Sequence, residues 1–142
     1  MKPSVIFENE DLIVLGKPSG WITNEASTTK DTPVLQTWIK ENLKFDISGS
    51  KEFRSGIVHR LDKETSGIIL VAKNEESFRY LQSQFKKRSV KKTYTTLVHR
   101  KLVPEEGSVN APVGRLPWNR ERFGVFPGGK PAKSKYEVKK YY

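Results

Sequence analysis

Between residues 56 and 71 the chain reads Gly56-Ile57-Val58-His59-Arg60-Leu61-Asp62-Lys63-Glu64-Thr65-Ser66-Gly67-Ile68-Ile69-Leu70-Val71. A carboxylate, a guanidinium, an imidazole and two hydroxyls fall inside one short stretch between two apolar runs. Reactive groups are commonly presented by loops held on rigid strands, so nucleophilic or acid–base chemistry is open to this stretch. The structural alternative is a self-satisfied turn, with Asp62 accepting local backbone hydrogen bonds and Arg60 paired with Glu64. Spacing argues against two other chemistries. A protein-kinase catalytic loop has His-Arg-Asp contiguous and Asn five residues after the Asp, whereas Leu61 intervenes here and Gly67 holds the later position. An aspartyl-phosphate phosphatase would carry a second Asp two residues on, where this chain has Glu64.

The flanking residues predict the elements that position this loop. Val5 to Phe7 and Leu12 to Leu15 are apolar runs separated by Glu-Asn-Glu-Asp, a hairpin pattern, and Lys17-Pro18-Ser19-Gly20 breaks the second strand. Val34, Leu35, Trp38, Ile39 and Leu43 recur at helical spacing after Asp31-Thr32-Pro33, which offers a cap and a helix-start proline. Residues 46–54 read as an exposed loop, and Ile68 to Ala72 as a strand covered on both faces. Phe78, Leu81 and Phe85 mark a second helix over residues 75–87, with acids at its start and bases at its end. Lys92 to His99 alternates as a strand; Val109, the region of Val125 and residues 134–142 read as further strands among Gly and Pro turns. These elements make a mixed α/β (α+β) fold, an antiparallel-rich mixed sheet with flanking helices.

Composition narrows the partner. The 142 residues hold 26 Lys and Arg against 16 Asp and Glu, a net charge of +10. Residues 1–71 carry 9 basic and 10 acidic side chains, whereas residues 72–142 carry 17 and 6. The segment from Ser77 to Pro104 holds Arg79, Lys86, Lys87, Arg88, Lys91, Lys92, Arg100 and Lys101 without one acid. Such a field suits a phosphate backbone; a solvated face that only aids solubility is the plainer reading. With no cysteine and two histidines, disulfides, thiolate metal sites and a Cys nucleophile are excluded and metal chemistry is not expected. No apolar stretch approaches the ~18 residues of a membrane span, so a soluble, cytoplasmic protein without a membrane partner is expected.

His59-Arg60-Leu61-Asp62 followed by Thr65-Ser66-Gly67 resembles the catalytic signature of the RluA-type pseudouridine synthases. The resemblance covers nearly the whole chain in order. Val5 to Gly20 is similar to that family's first hairpin and Lys-Pro-x-Gly turn, Lys92-Thr93-Tyr94 to its Lys-x-Tyr motif, and Gly129-Lys130-Pro131-Ala132 with Tyr136 to the strand before its third motif. The resemblance implies a pseudouridine synthase-like fold and isomerisation of a uridine in rRNA or tRNA without a cofactor. Asp62 would be the nucleophile, and addition at C6 of the uracil or at C1′ of the ribose are both open to it. The target uridine must leave its stack, least expensively from a loop or bulge, and enter a pocket beside Asp62. By the same resemblance Arg60 would fill the vacated space and Tyr94 would stack on the uracil and help the C5 proton leave. Lys86, Lys87, Arg88, Lys91 and Lys92 would clamp the RNA backbone, and His59, Leu61, Thr65, Ser66 and Gly67 would shape the loop; His99 carries no specific signal.

The family's later motif, with an Arg or Lys that pairs with the nucleophile, has no counterpart before Tyr142. The expectation is therefore a monomeric N-terminal part of one catalytic domain, inactive or impaired alone. Two rivals are a non-catalytic RNA-binding module on the same fold and an Asp-nucleophile hydrolase. Neither Asp62 nor Tyr94 would be needed by the first, and the second would lack salt-dependent RNA affinity.

Overall fold

The computed structural model describes residues 1–26 and 32–142. They form two compact units, Met1–Thr93 and Tyr94–Tyr142.

In the first unit, β1 (Ser4–Glu8) and β2 (Leu12–Lys17) form the expected antiparallel hairpin, and β3 (Gly67–Ala72) pairs antiparallel with β2 in the order β1-β2-β3. The turn closes because the Asn9 side chain accepts hydrogen bonds from the backbone N–H groups of Asp11 and Leu12, at 3.0 and 2.8 Å. Period-two alternation sends Ile13, Leu15, Ile69 and Val71 inward, where they pack with Leu35 and Ile39 of α1 (Leu35–Asn42) and with Ile57 and Leu61. A second cluster gathers Ile47, Val58, Ala72 and Phe78, the last from α2 (Glu75–Lys86). Asn74 caps α2 by accepting from the Ser77 N–H at 2.8 Å, and Glu75 and Glu76 complement the helix dipole in the first turn.

Several details depart from the sequence reading. Of Asp31-Thr32-Pro33, expected to offer a cap and a helix-start proline, Asp31 lies outside the described residues and Pro33 precedes the helix, whose N-cap is Val34 with no side-chain cap bond. The first helical N–H groups, of Leu35 and Gln36, instead donate to the carbonyls of Ile22 and Thr23 at 2.8 and 3.2 Å. Residues 46–54 are not simply an exposed loop: Ile47 is buried, and Phe53 meets Phe78 edge to face at 5.3 Å. The apolar run before the charged loop is no strand. Ile57 makes one isolated bridge to Val71, after a tight 3-10 turn over Arg54–Gly56. Gly56 has φ +82° there, and a Cβ on it would strike the carbonyl of Ala72, so only glycine lets the chain pass the end of β3 this closely. On β3 itself, Leu70 and Ala72 pack in the second cluster on the face opposite Ile69 and Val71, so both faces are covered except at Ile68, which is exposed at the start of the strand.

The second unit is a three-stranded antiparallel sheet in the order β5-β4-β6, from β4 (Glu106–Leu116), β5 (Asn119–Val125) and β6 (Lys130–Glu137). Strand β6 begins four residues earlier than expected and ends at Glu137, with residues 138–142 outside it. Residues 92–99 form no strand. Their alternation describes two faces, but a strand also needs a ladder partner, and none pairs with them among the described residues. The fold is a mixed α+β arrangement of two antiparallel sheets and two helices.

Candidate active site

The loop from His59 to Ser66 is held by its backbone. Leu61 is buried in the first core cluster. On either side of that anchor, Thr23 clasps the main chain: its hydroxyl donates to the Leu61 carbonyl at 2.8 Å and accepts from the Leu61 N–H at 3.3 Å. Further along, the Gly20 N–H donates to the Lys63 carbonyl at 2.9 Å, and the Ser19 hydroxyl to the Glu64 carbonyl at 2.9 Å. The loop closes on itself through the Thr65 N–H and the Asp62 carbonyl, at 3.1 Å. Gly67 then starts β3 at φ +144°, a conformation side-chain-bearing residues rarely adopt, with Leu61 packed beside it.

Lys17 completes the clamp. The alternation that buries Ile13 and Leu15 carries this side chain inward as well, leaving it 1% exposed. Its ammonium donates to the carbonyls of Pro18, Trp21 and Lys63 at 3.0, 2.7 and 3.2 Å, which employs all three of its protons. Burial lowers its pKa from the ordinary lysine value, while the negative charges of Glu64 and Asp62 act in the opposite sense. One cation thereby ties the end of β2, the following turn and the charged loop together. Neither Lys17 nor Thr23 was among the site residues expected from sequence. The signal for Lys17 was available, as a lysine in phase with Ile13 and Leu15; Thr23 has no comparable signal.

Asp62 itself is treated differently from its backbone. Its side chain is 89% exposed and its neighbour is the Arg60 guanidinium, at 3.8 Å and itself 72% exposed. Arg60 pairs with Asp62 rather than with Glu64. An exposed pair at this distance contributes little stability, so both side chains are open to other partners. Within the first unit the Asp62 carboxylate stands in the open, while the buried Leu61 next to it anchors the loop in the core.

His59 links this loop to α2. Its ring stacks on Phe85 at 4.6 Å and 20°, and its Nε2 accepts from the Leu70 N–H at 3.0 Å. Accepting at Nε2 requires the neutral ring with its proton on Nδ1. Burial, followed by the charge of Lys92, lowers the His59 pKa below its ordinary 6.5. The unfolded chain therefore takes up the proton at a higher pH than the folded one. The stability that His59 contributes is complete above pH 6.5 and is lost as pH falls through the folded value. Thermal unfolding between pH 7.5 and 5 is expected to show the wild type losing Tm more steeply than His59→Gln, whose amide oxygen can still accept from Leu70. Parallel curves would remove His59 as the source of that acid sensitivity.

The basic residues follow directly. Lys86 ends α2, Lys87 caps it, Arg88 has φ +57°, and Lys91 and Lys92 follow in irregular chain, all exposed. The first unit thus carries the Arg60–Asp62 pair on the clamped loop and joins that loop to α2 through the His59 ring on Phe85. Tyr94 is the first residue of the second unit and is exposed, so it is not among the side chains that this unit assembles. Among the described residues, no helix is long and apolar enough to cross a membrane.

Known proteins match this arrangement along most of the chain. The RNA pseudouridylate synthase family model matches residues 11–142. An uncharacterized RNA pseudouridine synthase of Aquifex aeolicus is 35% identical over 139 residues, covering 98% of this chain and 44% of the relative. The ribosomal large subunit pseudouridine synthase D of Nitrosomonas europaea is 37% identical over 134 residues, covering 94% and 38%. The chain therefore spans about two-fifths of the length of these curated relatives. Among solved structures, human RNA pseudouridylate synthase domain containing 1 superposes with a TM-score of 0.69 at 20% identity, covering 94% of this chain and 51% of that one. With the family model matched from residue 11 onward and relatives at 35–37% identity, the chain belongs to the RluA-type RNA pseudouridine synthases.

Proposed function

We propose that the protein isomerises a uridine in RNA to pseudouridine with Asp62 as its nucleophile, and that this chain is the N-terminal part of the catalytic domain. The observation that carries the reading is the contrast within one loop: the backbone of residues 61–64 is clamped from residues 17–23, while the Asp62 carboxylate is 89% exposed. A carboxylate retained for structure would face its own main chain; this one is presented outward on a fixed mount. In the reaction the N1–C1′ bond breaks, C5 bonds to C1′, the C5 proton leaves and N1 gains a proton, so no redox partner or cofactor is required. The reading gives Arg60 the space left by the everted base, since its guanidinium can stack on neighbouring bases and bind phosphate. Tyr94 is assigned to the uracil face. Lys86, Lys87, Arg88, Lys91 and Lys92 are assigned to the RNA backbone. The relative named for the large ribosomal subunit favours rRNA over tRNA as substrate.

Tritium release from RNA labelled at C5 of uridine, measured with the full-length protein, tests the reading. Release that disappears in Asp62→Ala supports it; tight RNA binding without release by the wild type favours the non-catalytic module instead. In the same protein, Lys92→Ala is expected to weaken RNA binding and to flatten the slope of log affinity against log salt by about one. An unchanged slope would take Lys92 off the RNA path.

A further inference from the structure

The β4–β5 hairpin of the second unit carries features that the catalytic reading does not use. The strands pair through Arg115↔Phe123 and close at Leu116↔Asn119, which leaves Pro117 and Trp118 at the tip. Trp118 is 75% exposed, an indole held in solvent on a short turn. Around it the sequence places Arg115, Arg120 and Arg122 against a single acid, Glu121. Arg115 is braced in two ways: its guanidinium lies 4.9 Å above the Phe123 ring, and its Nη1 donates to the Arg120 carbonyl at 2.6 Å. This cross-strand brace spans the register irregularity between Arg115 and Leu116, where residues 120–122 have no ladder partner among the described residues, and ties the base of the turn on which Trp118 stands.

An exposed aromatic ring on an arginine-rich turn matches what single-stranded nucleic acid offers: the flat face of an unpaired base flanked by phosphates. The charge argues against an apolar protein groove as the intended surface, because guanidinium groups beside the indole would have to be desolvated without an anion. Resting on the reading that the protein acts on RNA, we propose that the hairpin tip is an RNA contact separate from the Asp62 loop. Trp118 stacks on an unpaired base, and Arg120 and Arg122 engage the adjacent phosphates. The contact selects RNA with an accessible loop and holds it independently of the chemistry.

The test uses the full-length protein and two RNA probes of equal length, a stem–loop with an unpaired uridine-containing loop and a continuous duplex. Trp118→Ala is expected to bind the stem–loop about tenfold more weakly, to bind the duplex as before and to keep the wild-type salt slope. Trp118→Phe is expected to recover most of the loss. Arg120→Ala with Arg122→Ala is expected to flatten the salt slope by about two. The exposure of Trp118 makes misfolding of its variants an unimportant route to a loss, and a thermal melt checks this. Unchanged stem–loop affinity in Trp118→Ala overturns the proposal, as does a Trp118-dependent self-association that leaves RNA affinity alone. Tritium release is followed on the same stem–loop. Release with Trp118-independent binding removes only the hairpin contact; Trp118-dependent binding without release keeps it and removes the catalytic reading.

Discussion

Lys17→Met is expected to lower folding stability by about 2–4 kcal/mol and to slow isomerisation through kcat more than through KM. Methionine keeps most of the aliphatic stem, so the packing of Lys17 against the core is largely preserved. What is lost is the ammonium and its three hydrogen bonds, to Pro18, Trp21 and Lys63. The Lys63 carbonyl still receives the Gly20 N–H, whereas no other described donor replaces Lys17 at Pro18 or Trp21. Burying a lysine is itself costly, which offsets part of the loss and sets the upper limit of the effect. The consequence for activity follows from where the bonds lead. With the Lys63 carbonyl held by one donor instead of two, the Asp62 loop samples more positions, and small displacements of a nucleophile cost rate rather than ground-state binding. Urea unfolding checks the first part: the midpoint should fall with an unchanged m-value. A midpoint equal to wild type would show that the buried ammonium does not hold the loop.

Asp62→Ala is expected to give the opposite separation of effects. The residue is 89% exposed and its pair with Arg60 spans 3.8 Å in solvent, so its removal should change stability by less than about 0.5 kcal/mol. RNA affinity should stay equal or rise slightly, because a negative charge leaves a surface that meets phosphates. Isomerisation should fall on the order of 10⁴-fold or more, since Glu64, the neighbouring acid, is two residues away with its backbone tied to Ser19 and is not placed to replace the nucleophile. Melting, filter binding and tritium release on one preparation measure all three. A melting temperature that drops together with activity would assign Asp62 a structural role.

The hairpin β1–β2, both helices and the charged loop were legible because each is specified by neighbours in sequence: Asn9 in its turn, Asn74 ahead of α2, and apolar residues at helical or alternating spacing. What was hidden depends on contacts between distant segments. The clasp of Thr23 on Leu61 spans 38 positions and that of Lys17 on Lys63 spans 46, and no local pattern encodes either. The same holds for α1, whose cap is the backbone of residues 22 and 23 rather than a side chain beside it. Residues 92–99 illustrate the reverse, an alternating pattern without a strand, since alternation records two unlike faces but supplies no partner. At the candidate site, the identity of Asp62 and Arg60 was readable as residue type and spacing. Their presentation was not, because it rests on the first unit's own long-range bonds.

The most direct test of a nucleophilic Asp62 is a single-turnover measurement with Asp62→Asn in the full-length protein, on RNA tritiated at C5 of uridine. The amide matches the carboxylate in size and leaves the loop contacts untouched. The expected result is a melting curve that superimposes on wild type, RNA bound at least as tightly, and no tritium released. Release by Asp62→Asn at a rate near wild type would contradict the assignment.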